Sequence, residues 1–330
     1  MNTELYKEEG IVMAKKKQGL PLFQDEEREL GRYEEIVYEK DPPVGRLVLN
    51  GPEKRNPLSY ARKAELAMGL MEMELDPEIR VIIIKGAGPS FCAGYDITPV
   101  QPGEPQRNSP ATGVFVSPDK DRMWNANYQT WARELFFRIF DLQKPVIAQI
   151  HGYCLAGGTH LAGFCDLRVV ADNAQVGFPV IRNWTTEGYQ YEIWLMGASK
   201  TKYYLFTGDP MDGNKAYQWG WASAVYPAEK LEEETENLAR KVALTDPGLL
   251  MMTKRSINRQ MELMGFKTGM MWSQDISPAA GLRPGAGSDD EFRKISLEKG
   301  LKAALDWRDK SFGISYRTSE GAEQARTARG

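Results

Sequence analysis

The sequence predicts an α/β fold in which strand–strand–helix units recur and a helical region closes the chain. An apolar run feeds a glycine-containing turn twice: Arg80–Gly86 leads into Gly88–Asp96, and Pro145–Ile150 leads into His151–His160. The first of these runs, Val81-Ile82-Ile83-Ile84, is unbroken and β-branched, the pattern of a strand buried on both faces. From residue 246 onward helical patterns dominate instead.

Each element follows from local chemistry. Residues 1–31 are charged and weakly patterned, and read as an extension outside the core. Glu34–Glu39 and Gly45–Asn50 are short strands joined at Asp41-Pro42-Pro43, a hairpin. Gly51–Ser59 is a loop whose last residue can cap the following helix. In that helix Ala64, Met68, Met71 and Leu75 recur at steps of four, three and four, which marks one apolar face. Asp76-Pro77 stops it. Residues 99–120 are rich in Pro, Gly, Ser and Asp and read as a long loop. Asn127–Leu142 is helical, with Trp131, Leu135, Ile139 and Leu142 on one side. Leu161–Cys165 starts a buried helix, and Leu167–Ala171 and Ala222–Tyr226 are further strands. A Gly/Pro break spans Ser277–Gly287, and one last helix runs from about Glu291 to Lys310. The polar residues from Arg317 onward read as frayed. The expected division is an extension (1–31), a core (32–245), a helical region (246–313) and a tail (314–330).

Composition removes several classes of function. A net charge of −3 leaves no electrostatic footprint for nucleic acid, and Lys15-Lys16-Lys17 reads as a solvated tail. No apolar stretch approaches the roughly 18 residues that span a bilayer, so no membrane partner is expected. The first residues lack the apolar core of a signal peptide. Cys92, Cys154 and Cys165 cannot form a closed disulfide set and have no metal-ligand spacing. Buried reduced thiols, a cytoplasmic location and no metal are the expectations.

The most informative stretch is His151-Gly152-Tyr153-Cys154-Leu155-Ala156-Gly157-Gly158-Thr159-His160, which holds both histidines of the chain. A strand, a glycine turn and a helix N-terminus together make an anion site. Glycines let backbone approach a ligand, and the first N–H groups of a helix have no acceptor of their own. His160 is the side chain best placed there to move a proton. The competing reading is a core histidine bonded to a backbone carbonyl. His151, at the strand end, reads as a loop-orienting residue.

These motifs resemble a known family. Asn50-Gly51-Pro52-Glu53-Lys54-Arg55-Asn56-Pro57-Leu58-Ser59 is similar to the opening signature of the crotonase (enoyl-CoA hydratase/isomerase) superfamily. So are Phe91-Cys92-Ala93-Gly94-Tyr95-Asp96-Ile97 and Lys144–Tyr153 with Gly157-Gly158 and Cys165-Asp166-Leu167. Thr207-Gly208-Asp209-Pro210, with Ala216, Gly220 and Val225-Tyr226-Pro227, continues the match, and Gly300–Leu305 resembles the terminal helix. The resemblance spans about residues 33 to 313. It implies a crotonase-like spiral of ββα units with a C-terminal helical region, assembled as a homotrimer or homohexamer. It implies an acyl-CoA thioester substrate, no permanently bound cofactor, and coenzyme A carried by the substrate. It implies an oxyanion hole from two backbone N–H groups, which by position belong to Tyr95 and Gly157. It places Lys54, Arg55, Ala93 and Asp96 at the coenzyme A, and Arg308 and Lys310 toward its 3′-phosphate.

The chain departs from the family where hydration chemistry resides. Hydratases of this family place one glutamate three residues after the oxyanion-hole glycine, where this chain has His160. They place the other after the proline of Gln175-Val176-Gly177-Phe178-Pro179, where this chain has Val180. The expected acid/base is therefore His160, with Glu187 as the first carboxylate to consider; a capping or surface role is the alternative for Glu187. Trp184, Tyr189 and Tyr191 either line a bulky acyl pocket or pack the core. The expected reaction is hydration or dehydration of an enoyl-CoA. A hydrolase that cuts a carbon–carbon bond in a β-diketone or cyclic β-keto acyl-CoA stands beside it, as does a non-catalytic acyl-CoA-binding protein.

Overall fold

The computed structural model describes residues 33–97, 135–183, 185–280, 288–313 and 316. The expected extension, the loop at 99–120, Trp131 and Trp184 lie outside the described residues. Strands β1 (Ile36–Asp41) and β2 (Val44–Leu49) form the expected hairpin, with Asp41 opposite Val44. From β2 the sheet continues in parallel through β3 (Val81–Gly86), β4 (Val146–Ile150), β6 (Leu167–Ala171) and β9 (Ala224–Tyr226). A second sheet has the order β5 (Tyr153–Leu155), β7 (Gln175–Gly177), β8 (Met211–Asp212).

The chain leaves the large sheet at the ends of β4 and β6 and enters the small one a few residues later. β4, β5 and α3 (Gly157–Gly163) make one such ββα unit; β6, β7 and α4 (Glu192–Thr207) make the next. Gly152 makes the first corner at φ +54°, and a Cβ there would lie 2.0 Å from the Pro89 carbonyl oxygen. No other residue fits that corner. β3 is buried on both faces, as its β-branched run demands. The three cysteines are free and buried. Among the described residues no helix is long and apolar enough to cross a membrane.

Helix α1 (Tyr60–Leu75) begins where expected, with the Ser59 side chain accepting a hydrogen bond from Arg62 N–H at 3.0 Å. Its buried face is not the expected one. Leu66, Leu70 and Met73 are buried, while Met68 and Leu75 are 42% and 68% exposed. At 100° per residue these stripes lie on nearly opposite sides of the helix. Both are apolar, so periodicity alone does not choose between them. Long-range contacts do: Gly69 packs on Leu47, and buried Arg62 reaches Glu35 at 2.7 Å.

Residues 135–141 (α2) are helical, with Leu135, Phe136, Ile139 and Phe140 buried. α5 (Gly213–Trp219) precedes β9, and α6 (Leu231–Ala243), α7 (Pro247–Leu263) and α8 (Phe266–Ala280) follow it. α8 runs four residues into the expected Gly/Pro break. The expected single terminal helix is two, α9 (Ser288–Lys299) and α10 (Leu301–Asp309). Gly300 separates them at φ +85°, outside the helical region.

Candidate active site

The two glycine turns leave the ends of β3 and β4 side by side and are stitched together through backbone. Phe91 N–H donates to His151 O at 2.8 Å, Cys92 N–H to Tyr153 O at 2.9 Å, and Leu155 N–H to Cys92 O at 2.9 Å. The 51–58 loop joins them: Ala93 N–H donates to Arg55 O at 2.9 Å and Leu58 N–H to Gly94 O at 2.7 Å. Asn56 locks the assembly, accepting from Gly51 N–H and donating to Ala87 O and Ser90 O, each at 2.8 Å. His151 Nε2 bonds Gly88 O at 2.8 Å, the loop-orienting role expected for it.

Gly94, at φ +108°, brings the segment of Tyr95 against the start of α3. A Cβ on Gly94 would lie 3.5 Å from Gly157 N. α3 starts at Gly157, four residues before the expected start, because Ala156 enters it at φ +47°. Gly157 N–H is therefore the first amide of a helix, a position without an acceptor inside the helix. The Tyr95 ring covers this point, with Cε1 and Cζ 3.0 Å from where a Gly157 Cβ would sit.

The fourth residue of α3 is His160, only 3% exposed. Its ring is enclosed by Tyr189 edge-on at 4.7 Å, Phe178 stacked at 5.8 Å and Phe136 edge-on at 5.9 Å. Nδ1 lies 2.9 Å from the Tyr95 hydroxyl. Nε2 lies against Glu187 Oε1 without an aligned hydrogen bond. Glu187 is fully buried, and its Oε1 accepts from Tyr189 N–H at 3.0 Å. Glu192, the first residue of α4, is buried as well; burial first, and the Glu187 charge second, raise its carboxyl well above the carboxylate range.

Lys63 of α1 places Nζ 5.4 Å from the centre of the Tyr95 ring. Burial holds this amine down at about 6, so it is largely uncharged at neutral pH and sets no cation beside the phenol. Unfolded, it binds its proton up to about 10.5, so between pH 6 and 10.5 the unfolded chain holds the extra proton. Stability should rise with pH across that window by up to about 1.4 kcal/mol per unit. Lys63→Met should remove this slope and raise Tm at pH 7; parallel Tm–pH curves for the two proteins would refute the assignment.

The structure thus joins His160, Glu187, Tyr95 and Gly157 at one place. Ala93 and Asp96 belong to the same turns, Asp96 N–H reaching Leu58 O at 3.4 Å. Lys54 and Arg55 are exposed on the adjoining loop, Arg55 lying 5.0 Å over the Tyr153 ring. Arg308 is elsewhere and already engaged: its Nε and Nη2 bind Asp309 at 2.8 and 2.9 Å, within a cluster that includes Arg182. Lys310, the next residue but one, is exposed. Val180 is half-buried and carries no acid.

Of the aromatics expected either to line an acyl pocket or to pack the core, Tyr189 and Tyr191 are both fully buried, and Tyr191 packs the core. Its hydroxyl donates to Thr159 O at 2.8 Å and accepts from Trp221 Nε1 at 3.1 Å, and its ring packs on Gly163. Sequence reasoning missed the Tyr95 side chain, singled out only for its backbone N–H, and missed Lys63 and Glu192. The first follows a glycine turn and was legible as a position, but not as a direction.

Comparison with known proteins bears on this geometry. The sequence model of the family described as Enoyl-CoA hydratase/isomerase matches residues 39–276. A Mycobacterium tuberculosis protein named as an enoyl-CoA hydratase, EchA13, is 29% identical over 290 residues, 84% of this chain and 89% of that one. A hydroxycinnamoyl-CoA hydratase-lyase from Pseudomonas fluorescens is 31% identical over 237 residues, 71% of this chain and 81% of that one. The crystal structure of an enoyl-CoA hydratase from Mycobacterium smegmatis superposes with a TM-score of 0.77 at 28% identity, covering 87% of this chain and 97% of that one.

Proposed function

The chain belongs to the enoyl-CoA hydratase/isomerase family, and from that membership and the site's geometry we propose that it hydrates an enoyl-CoA or dehydrates its product. The observation that carries the reading is His160, buried beside Gly157 between the Glu187 carboxylate and the Tyr95 hydroxyl. The thioester carbonyl sits at Tyr95 N–H and Gly157 N–H. Negative charge develops on that oxygen as the enolate forms, and each preorganised donor is worth about 3 kcal/mol to it. The helix that begins at Gly157 adds its own partial positive charge at the same point.

Val180 in place of the second acid removes the mechanism in which two glutamates share one water. A single proton relay replaces it. Glu187 favours the tautomer with the proton on Nε2, which leaves Nδ1 as the base. The relay takes a proton as water adds to the β-carbon and returns it to the α-carbon, so one group serves both halves of the reaction. The substrate enters as its coenzyme A thioester, with Lys54 and Arg55 toward the phosphates and Ala93 and Asp96 shaping the turn beside them. Lys310 is the better placed of the two terminal-helix cations for the 3′-phosphate, because Arg308 is held by Asp309. Exposed Trp272, Leu263 and Met264 on and after α7 and α8 support assembly into a homotrimer or homohexamer.

The test is turnover of crotonyl-CoA, followed by loss of the conjugated thioester and run beside detection of free coenzyme A and ring-opened acids. Lys54→Ala with Arg55→Ala should raise KM about tenfold, near 1.4 kcal/mol of binding, and leave kcat nearly unchanged. No affinity for any acyl-CoA in calorimetry would end the reading. Ring-opened acids from a β-diketone without hydration would instead favour carbon–carbon cleavage by the same histidine.

A further inference from the structure

His160 has no nitrogen left to offer a substrate. Nδ1 faces the Tyr95 hydroxyl at 2.9 Å and Nε2 faces Glu187. Phe178, Phe136 and Tyr189 enclose the ring. Of the three members of this chain of groups, Glu187 and His160 are buried and only Tyr95 is half-buried. The ring carbon that bears its hydroxyl lies 3.0 Å from the Cβ position of Gly157, the residue whose amide begins α3. The half-buried member of the relay is therefore the tyrosine beside the carbonyl site.

We infer that the Tyr95 hydroxyl is the catalytic acid/base that meets the acyl chain, with His160 and Glu187 acting through it as positioning and proton-holding residues. This rests on the reading above that the protein turns over an acyl-CoA thioester. In enolate formation the α-C–H bond breaks and its electron pair moves into the thioester carbonyl. The proton goes to Tyr95 Oη as Oη releases its own proton to His160 Nδ1, and the resulting imidazolium faces the Glu187 carboxylate. In hydration the same transfer runs on water: the O–H bond breaks, the oxygen bonds to the β-carbon, and the π pair moves toward the carbonyl. The stored proton then returns through Oη to the α-carbon, so no proton is gained or lost overall. Uncharged Lys63 does not stabilise a phenolate, so the phenol depends on His160 to give up its proton.

Tyr95→Phe deletes the hydroxyl while keeping the ring over Gly157 and the backbone N–H. The experiment compares wild type, Tyr95→Phe, His160→Gln and the double variant. It reads crotonyl-CoA turnover, exchange of the α-hydrogens of butyryl-CoA into deuterated water by NMR, and Tm. Tyr95→Phe should lower both kcat and exchange by about 10²-fold or more, with KM and Tm close to wild type. The double variant should be no worse than the poorer single one, because the groups act as a unit. Near-normal turnover and exchange in Tyr95→Phe, with a large loss in His160→Gln, would overturn the inference and leave the proposed reaction standing. Additive losses in the double variant would also overturn it. A wild-type protein that neither hydrates crotonyl-CoA nor exchanges butyryl-CoA would remove the reading beneath it.

Discussion

His160→Gln is expected to lower kcat on crotonyl-CoA by at least about 10²-fold, within the 10²–10⁴ range of a positioned acid/base, with little change in coenzyme A affinity. Glutamine fills most of the volume between Tyr189, Phe178 and Phe136 but cannot accept and hold a proton. The more drastic His160→Ala should do something further. It removes the cation-capable partner of a fully buried carboxylate, Glu187, and opens a void among three aromatic rings. Truncating a large side chain in a packed core to alanine costs about 2–5 kcal/mol, so His160→Ala should melt well below wild type. Burial in the aromatic box makes stability and turnover separable only through the glutamine variant. A His160→Gln protein that folds, binds coenzyme A and turns over at the wild-type rate would take the histidine out of the reaction.

Glu187→Gln should be nearly as damaging to turnover, again about 10²-fold or more, and should not destabilise the fold. The amide keeps the shape and can still accept from Tyr189 N–H. With its oxygen at the Oε1 position, which faces both Tyr189 N–H and Nε2, it carries no charge and no longer stabilises the imidazolium that forms when Nδ1 takes a proton. In a serine protease triad, the equivalent carboxylate-to-amide change lowers kcat about 10⁴-fold. Stability should hold or improve, because the change removes a buried negative charge beside Glu192, whose carboxyl is raised by burial and by that charge. Thermal melts and steady-state kinetics on the same preparation decide it: a silent Glu187→Gln would mean that the histidine works without its carboxylate.

Element types were legible because they are set by neighbours in sequence. The β-branched run of β3, the proline turn between β1 and β2, the serine cap of α1 and the two glycine turns all express backbone preferences of a few adjacent residues. The family was legible because those turns recur in order along the chain. His160 and Glu187 were legible as candidates because each stands where the family pattern is broken.

Which side chains meet was a different matter. α1 carries two apolar stripes, and only the packing of Gly69 on Leu47 and the reach of Arg62 to Glu35 selected the buried one. Tyr191 could by sequence line a pocket or pack the core, and the contacts of its ring with Gly163 and of its hydroxyl with Trp221 placed it in the core. The Tyr95 hydroxyl and His160 are 65 residues apart and touch because β3 and β4 are parallel neighbours whose ends turn the same way. Local sequence sets backbone preference over a few residues. The direction and partner of a side chain depend on sheet order and on the competition for buried space, and these exist only once the whole chain has packed.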